Sequence, residues 1–164
     1  MKGDLNKTVN DPIQEWARQV AGIPYIFPVQ RLVIAGMLDA LAALDCQAAD
    51  LPLAGRIAVM PTGAGKTLCF QAAVALDNSP SLILYPLLAL LNDQKRRFDA
   101  MGIPAAVLRG GQSADERRRI LQGLRNGSIR VILSNPECML QPALIKELPA
   151  LGLVQAVIDE AHCV

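Results

Sequence analysis

A single histidine, His162, serves the whole chain, and no two of its four cysteines, Cys46, Cys69, Cys138 and Cys163, stand at the close spacing of a zinc knuckle. A structural zinc site is therefore not expected, and the cysteines read as reduced, mostly buried thiols suited to a cytoplasmic setting. Net charge is also nearly absent: 16 Lys+Arg against 15 Asp+Glu leave +1. Such a balance neither demands nor excludes a phosphate-bearing partner, which must reveal itself through local chemistry. No apolar signal core follows the polar start Met1-Lys2-Gly3-Asp4. The longest apolar run, from Ser81 to Leu91, carries Pro86 in its middle. It falls short of the roughly 20 apolar residues that a membrane span needs, so no membrane partner is expected. There is no internal repeat and no low-complexity tract.

What is present is a hydrophobic chain, 52% apolar over 164 residues, long enough to bury a core. Two helical stretches are expected first, about Pro12 to Val20 and Val29 to Leu44, the second with Leu32, Val33, Met37, Leu38, Leu41 and Leu44 at helical spacing. A turn-prone patch follows between Asp45 and Gly55. Five short apolar runs come next: Arg56–Met60, Ser81–Tyr85, Pro104–Leu108, Arg130–Ser134 and Leu153–Ile158. Four helical segments alternate with them, including Leu87–Ala100, Ala114–Leu124 and a first turn opened by Pro136. That rhythm predicts βαβ units and an α/β fold, a mainly parallel sheet with helices on both faces. In such a sheet ligands sit beyond the carboxyl ends of the strands, and each chemically loaded segment here falls at such an end.

The strongest motif is Met60-Pro61-Thr62-Gly63-Ala64-Gly65-Lys66-Thr67, placed between a predicted strand and a predicted helix. Glycines let a backbone turn tightly around phosphate oxygens, and a helix N-terminus offers N–H groups and partial positive charge. Thr62, Gly63, Ala64, Gly65, Lys66 and Thr67 are accordingly the candidate nucleotide cradle, with Lys66 near the β- and γ-phosphates and the Thr67 hydroxyl on Mg²⁺. Met60 stands where the usual pattern begins with glycine. The second motif is Asp159-Glu160-Ala161-His162, at the end of the last apolar run. An acid at a strand end beside a phosphate loop is placed to hold Mg²⁺, which assigns Asp159. The neighbouring Glu160 can orient and deprotonate an attacking water. Together Lys66, Asp159 and Glu160 are the candidate catalytic residues, with Thr67 and Asp159 the candidate metal ligands. His162 is expected to couple this site to other elements.

Longer stretches around these motifs resemble the RecQ-type DNA helicases of superfamily 2. The Leu68-Cys69-Phe70-Gln71 continuation resembles their first motif, Tyr85-Pro86 through Asp93-Gln94 their motif Ia, Leu133 to Glu137 their Pro-Glu segment, and Asp159 to Cys163 their motif II with its following cysteine. The likeness covers about residues 25 to 164. It implies a RecA-like P-loop NTPase domain truncated after the acid-bearing strand, with residues 1–50 a helical segment and 51–164 a partial first motor domain. It implies ATP and Mg²⁺ as cofactors, single-stranded DNA as partner and 3′-5′ unwinding. Gln30 resembles the family's adenine-reading glutamine, an amide offering donor and acceptor together. Phe27 stands where RecQ proteins usually carry arginine, which brings this segment closer to the DEAD-box form.

The resemblance also implies that Pro86–Gln94 and Arg109–Gly111 line the strand-binding face, but Leu87, Leu88, Leu90 and Leu91 are expected to pack in the core instead. The runs Lys95-Arg96-Arg97 and Arg117-Arg118-Arg119 are expected on solvated helix faces. In such domains a further strand lies between the phosphate-loop strand and the acid strand, so a gap in the sheet is expected here. The second RecA-like domain, whose arginine can contribute on the order of 10³–10⁵ in rate, is required for activity. The chain alone is therefore expected to bind ATP weakly and not to unwind duplex. A DEAD/DEAH-type RNA helicase, a small P-loop phosphotransferase and a non-enzymatic nucleotide-sensing module remain the alternatives.

Overall fold

The computed structural model describes residues 11–45 and 55–163. The polar start, Cys46 and most of the turn-prone patch lie outside the described residues.

Alternation along the strands separates two apolar layers. β1 (Ser81–Leu84), β2 (Ala105–Val107), β3 (Val131–Ser134) and β4 (Gln155–Ile158) form one parallel sheet in the order β2-β3-β1-β4. Ile83, Val131 and Leu133 face one side, where Phe70 and Val74 of α3 (Lys66–Asp77) and Leu91 and Phe98 of α4 (Leu88–Ala100) close over them. Leu82 and Ile132 face the other side, covered by Leu121 and Leu124 of α5 (Ala114–Arg125), Cys138 and Met139 of α6 (Pro136–Met139) and Leu144 of α7 (Pro142–Glu147). Burying one large aliphatic or aromatic side chain contributes about 1.5–3 kcal/mol, so these two layers hold the sheet.

Local signals set the helix ends. Asp11 caps α1 (Pro12–Gln19) through Gln14 N–H and also pairs with Arg31. Ser113 opens α5 with a reciprocal capping box to Glu116. Pro136 and Pro142 occupy first turns, where a missing N–H costs nothing. A third apolar cluster joins Ile13, Trp16 and Ala17 of α1 to Ile34 of α2 (Pro28–Asp45) and to Met60, Cys69 and Ala72. It anchors the N-terminal helices against α3, and so fixes them beside the phosphate loop.

Two expectations need correction. Arg56–Met60 is extended but pairs with no strand among the described residues, and Ile57 and Val59 are each 92% exposed. The apolar pattern was that of a strand, but pattern alone supplies no ladder partner, and β4 is an edge strand on that side of the sheet. β4 accordingly alternates between half-buried and exposed positions, where an interior parallel strand would be covered on both faces. Second, of the four leucines assigned to the core only Leu91 is buried; Leu87 (61% exposed), Leu88 (53%) and Leu90 (37%) face outward. The helix begins at Leu88, and its inward stripe falls on Leu91, Gln94 and Phe98, three and four residues apart. The short helix α7 went unforeseen, six residues being too few to display a period.

Candidate active site

Because the strands are parallel, their carboxyl ends share one rim. Tyr85 to Leu87 leave β1 there, Leu108 and Arg109 leave β2, Asn135 leaves β3, and Asp159 and Glu160 leave β4. The phosphate loop turns into α3 at the same rim. Gly65 is the N-cap of α3 with φ +78°, a left-handed conformation that costs an L-residue about 1–2 kcal/mol. Lys66 is then the first helical residue and Thr67 the second, where N–H groups have no intrahelical acceptor.

Across this loop Lys66 Nζ lies 3.3 Å from Glu160 Oε1, although 94 positions separate the two in sequence. His162 Nδ1 stands 3.4 Å from the other oxygen, Oε2. Glu160 itself has φ +50°. A non-glycine residue in that region stores strain that the surroundings must hold, and such strain clusters at functional sites. Its N–H donates to Asp159 Oδ1 at 3.0 Å, and the Asp159 N–H donates to Leu84 O at 2.9 Å, which fixes both acids to the end of the sheet. Burial pushes the Asp159 carboxyl above its ordinary value, and the Glu160 carboxylate adds to this; the Glu160 N–H and Lys66 oppose it.

A cavity of about 680 Å³ opens beside these groups. Thr62, Gly63, Gly65, Lys66, Thr67 and Glu160 line its polar end. Gln71 and Arg97, with Val20, Ala21, Ile23 and Met101, line the rest. The size lies within the range of small-molecule sites, roughly 300–1,000 Å³. Sequence reasoning brought Lys66, Thr67, Asp159 and Glu160 to one rim but did not foresee Gln71, Arg97 or the Val20–Ile23 turn. Thr67 and Gln71 stand four apart on one helix face, a spacing that could have flagged Gln71. Arg97 was assigned to a solvated helix face; it is exposed and paired with Asp93 at 3.1 Å, yet it also faces this cavity. No group of three or more His, Cys, Asp or Glu able to hold a metal occurs among the described residues.

Gln30 sits under the loop. Its Oε1 accepts from Phe27 N–H at 3.0 Å and its Nε2 donates to Ala64 O at 2.8 Å. Both functional ends of the amide are thus engaged by backbone, so here it clamps the phosphate loop to the Tyr25–Phe27 segment. Cys69, one turn into α3, is buried, and burial raises its thiol to about 11.

Elsewhere on the rim, Arg109, Gly110 and Gly111 are exposed, and Gln112 folds their loop by accepting from Arg109 N–H at 2.9 Å and donating to Val107 O at 3.1 Å. Gln94, expected to face a nucleic-acid strand, points inward instead and is buried. Arg118 and Arg119 are solvated, with Arg118 paired to Asp115 at 3.3 Å.

Comparison with known proteins extends the same site. The family model for DEAD/DEAH box helicases matches residues 27–164. The chain is 32% identical over 106 residues to the ATP-dependent DNA helicase RecQ of Bacillus subtilis (strain 168), covering 65% of this chain and 18% of that protein. It is 37% identical over 117 residues to the ATP-dependent DNA helicase hus2/rqh1 of Schizosaccharomyces pombe, covering 65% of this chain and 9% of that protein. It thus spans a fifth or less of these relatives. The crystal structure of the DUF1998 helicase MrfA bound to DNA and AMPPNP matches with a TM-score of 0.59 at 24% identity, over 95% of this chain and 21% of that one, which establishes the shared RecA-like α/β fold. A family match over most of the chain, in a range that includes the loop and the acids meeting at one rim, makes this chain a member of the DEAD/DEAH box helicase family.

Proposed function

We propose that the chain is the nucleotide-binding part of an ATP-dependent DNA helicase of RecQ-like character, hydrolysing ATP to move along single-stranded DNA in the 3′-5′ direction. The observation that carries this reading is the 3.3 Å approach of Lys66 to Glu160 at the mouth of the rim cavity. A triphosphate seated there meets Lys66 at its β- and γ-oxygens and the N–H groups of the first turn of α3. Thr62, Gly63, Ala64 and Gly65 form the backbone cradle.

The donor set suits Mg²⁺. A hydroxyl at Thr67 and a carboxylate at Asp159 supply two oxygens, and this ion takes most of its remaining ligands from water and phosphate. An acid whose pKa burial has raised gains from a cation beside it. The ion supplies charge neutralisation on the phosphoryl oxygens. Glu160 holds the attacking water and accepts its proton, and His162, 3.4 Å away, steadies the carboxylate. Gln30 holds the loop in shape, and its adenine-reading role requires it to exchange one backbone partner for the base.

The exposed rim of Leu87, Leu88 and Arg109–Gly111 is the proposed seat for single-stranded DNA, gripped at phosphates without reading sequence. Among the described residues no helix is long and apolar enough to cross a membrane, and we place the protein in the cytoplasm. The test is ATP hydrolysis by the whole protein with and without a single-stranded oligonucleotide, of DNA and of RNA. Stimulation by DNA that vanishes in Lys66→Ala supports the reading. Turnover that survives Lys66→Ala refutes it, and stimulation by RNA alone turns the reading to an RNA helicase.

A further inference from the structure

Three polar side chains are buried between α3 and α4, inside an otherwise apolar layer. Gln71 is 6% exposed, Gln94 7% and Tyr85 1%, with Phe70, Leu91 and Phe98 in the same layer. Gln71 Nε2 donates to Gln94 Oε1 at 3.1 Å, and the Tyr85 hydroxyl donates to the same oxygen at 3.3 Å. Leucine at either glutamine would fill comparable space without the cost of desolvating an amide. The cluster therefore adds direction to the contact, not merely adhesion.

Its position gives that direction a use. Gln71 lines the nucleotide cavity, one turn beyond Thr67 on the same face of α3. Gln94 lies midway along α4, whose first turn carries the exposed Leu88 at the rim. Tyr85 is the residue after β1, the strand hydrogen-bonded to β4 and so to the strand that carries Asp159. Each member thus stands on a different element that reaches the site.

We propose that Gln71, Gln94 and Tyr85 form a positioning cluster that fixes the Gln71 carboxamide in the nucleotide cavity and couples that cavity to α4, so that nucleic acid engaging the rim alters how the nucleotide is held. The inference rests on the helicase reading above. One oxygen, Gln94 Oε1, takes a hydrogen from each partner, so one N–H of the Gln71 amide is committed inward and its orientation is set. The second N–H and the Gln71 Oε1 remain for a bound species or its water. Burial, and next the Asp159 carboxylate, raise the Tyr85 hydroxyl pKa, which keeps that group a neutral donor. A shift of α4 pulls on Gln94 and therefore turns the Gln71 amide. A pair of leucines would let the helices slide without such a turn.

The experiment compares ATP hydrolysis by the whole protein, with and without single-stranded DNA, for wild type, Gln94→Leu, Gln94→Glu and Tyr85→Phe. The readout is the factor by which DNA raises the rate. Gln94→Leu should reduce that factor by about 5- to 150-fold, the usual span of coupling between sites. Gln94→Glu should retain it, because burial keeps the introduced carboxyl neutral and its carbonyl oxygen accepts both hydrogens as the amide oxygen does. Tyr85→Phe keeps the ring and loses one donor, so the factor should fall by about 2- to 10-fold, the worth of one hydrogen bond. Adding Gln71→Leu to Gln94→Leu should cost no further coupling.

Should Gln94→Leu fail to fold, Tyr85→Phe decides alone. A factor unchanged in Tyr85→Phe and Gln94→Leu overturns the proposal, as does a Gln94→Glu protein that behaves like Gln94→Leu. A wild type that DNA does not stimulate refutes the helicase reading itself, and this inference falls with it.

Discussion

Gly65→Ala separates the two reasons for a glycine at the mouth of α3. The first reason is backbone: φ is +78° there, and an L-residue in that region costs about 1–2 kcal/mol. The second is contact. A Cβ on Gly65 would fall inside the contact distance of Gln30 Nε2 and 3.6 Å from the Gln30 carboxamide carbon. Gln30 is a flexible side chain, but both ends of its amide are tied, to Phe27 N–H at 3.0 Å and Ala64 O at 2.8 Å. Moving it aside gives up two hydrogen bonds, each contributing about 0.5–1.5 kcal/mol net. Gly65→Ala should therefore destabilise the chain by about 2–5 kcal/mol in all. Gly63 is an internal control. Its φ is +80°, yet a Cβ there meets nothing within 4 Å, so Gly63→Ala should cost only the backbone part, about 1–2 kcal/mol. Urea unfolding of five proteins, wild type, Gly63→Ala, Gly65→Ala, Gln30→Ala and the Gly65→Ala/Gln30→Ala double variant, reads these differences from the midpoints at constant slope. In the Gln30→Ala background the contact has gone, so Gly65→Ala should cost no more than Gly63→Ala does in wild type. Equal costs for Gly63→Ala and Gly65→Ala in wild type, or strict additivity of Gly65→Ala with Gln30→Ala, would refute the clamp.

The remaining predictions are briefer. Arg97→Ala should raise the KM for ATP by about two- to fivefold, since an exposed charge contact contributes up to about 1 kcal/mol, while Arg96→Ala, at a residue that does not line the cavity, should leave it unchanged. Equal effects in a steady-state assay would remove Arg97 from the site. Ser113→Ala should cost about 1 kcal/mol of stability at neutral pH through the lost cap of α5. Hydrogen bonds from the Ser113 N–H and hydroxyl hold the Glu116 carboxyl below its ordinary value, so their stabilisation is present above that value and disappears as pH falls through the lowered one. The stability gap between wild type and Ser113→Ala should narrow in acid, and a constant gap would contradict the capping box. Cys69, raised to about 11, presents a thiolate fraction of about one in a thousand at pH 8, so iodoacetamide should leave it unmodified in the native chain and alkylate it in urea. Rapid native modification would show that the packing around Gln30 and α3 is looser than described.

The legible part of the site was the part made of local chemistry. Lys66 and Thr67 follow two glycines where a helix opens, and Asp159 and Glu160 end an apolar run, so each could be placed at a rim from its own neighbours. The parallel sheet followed from the alternation of apolar runs with helical ones. What escaped was whatever depends on a neighbour distant in sequence. Ile57 and Val59 have a strand's apolar pattern, but pairing needs an adjacent ladder, and none of the described strands lies beside them. Leu87, Leu88 and Leu90 differ from Leu91 only in angular position on α4, and that angle depends on where the helix starts. Gln30, Gln71 and Gln94 carry the same side chain. One clamps the phosphate loop, and the other two hydrogen-bond across α3 and α4, so the partner and not the residue type decides the role.

The central claim is that Lys66 and the Asp159–Glu160 pair serve one metal–triphosphate group. Its most direct test is a crystal structure of the chain with Mg²⁺ and a non-hydrolysable ATP analogue. The account predicts the terminal phosphates between Lys66 and Glu160, with the ion on the Thr67–Asp159 side at the usual oxygen distance of about 2.0–2.1 Å from its ligands. Triphosphate density elsewhere, with Lys66 and Glu160 still paired at 3.3 Å, would contradict it.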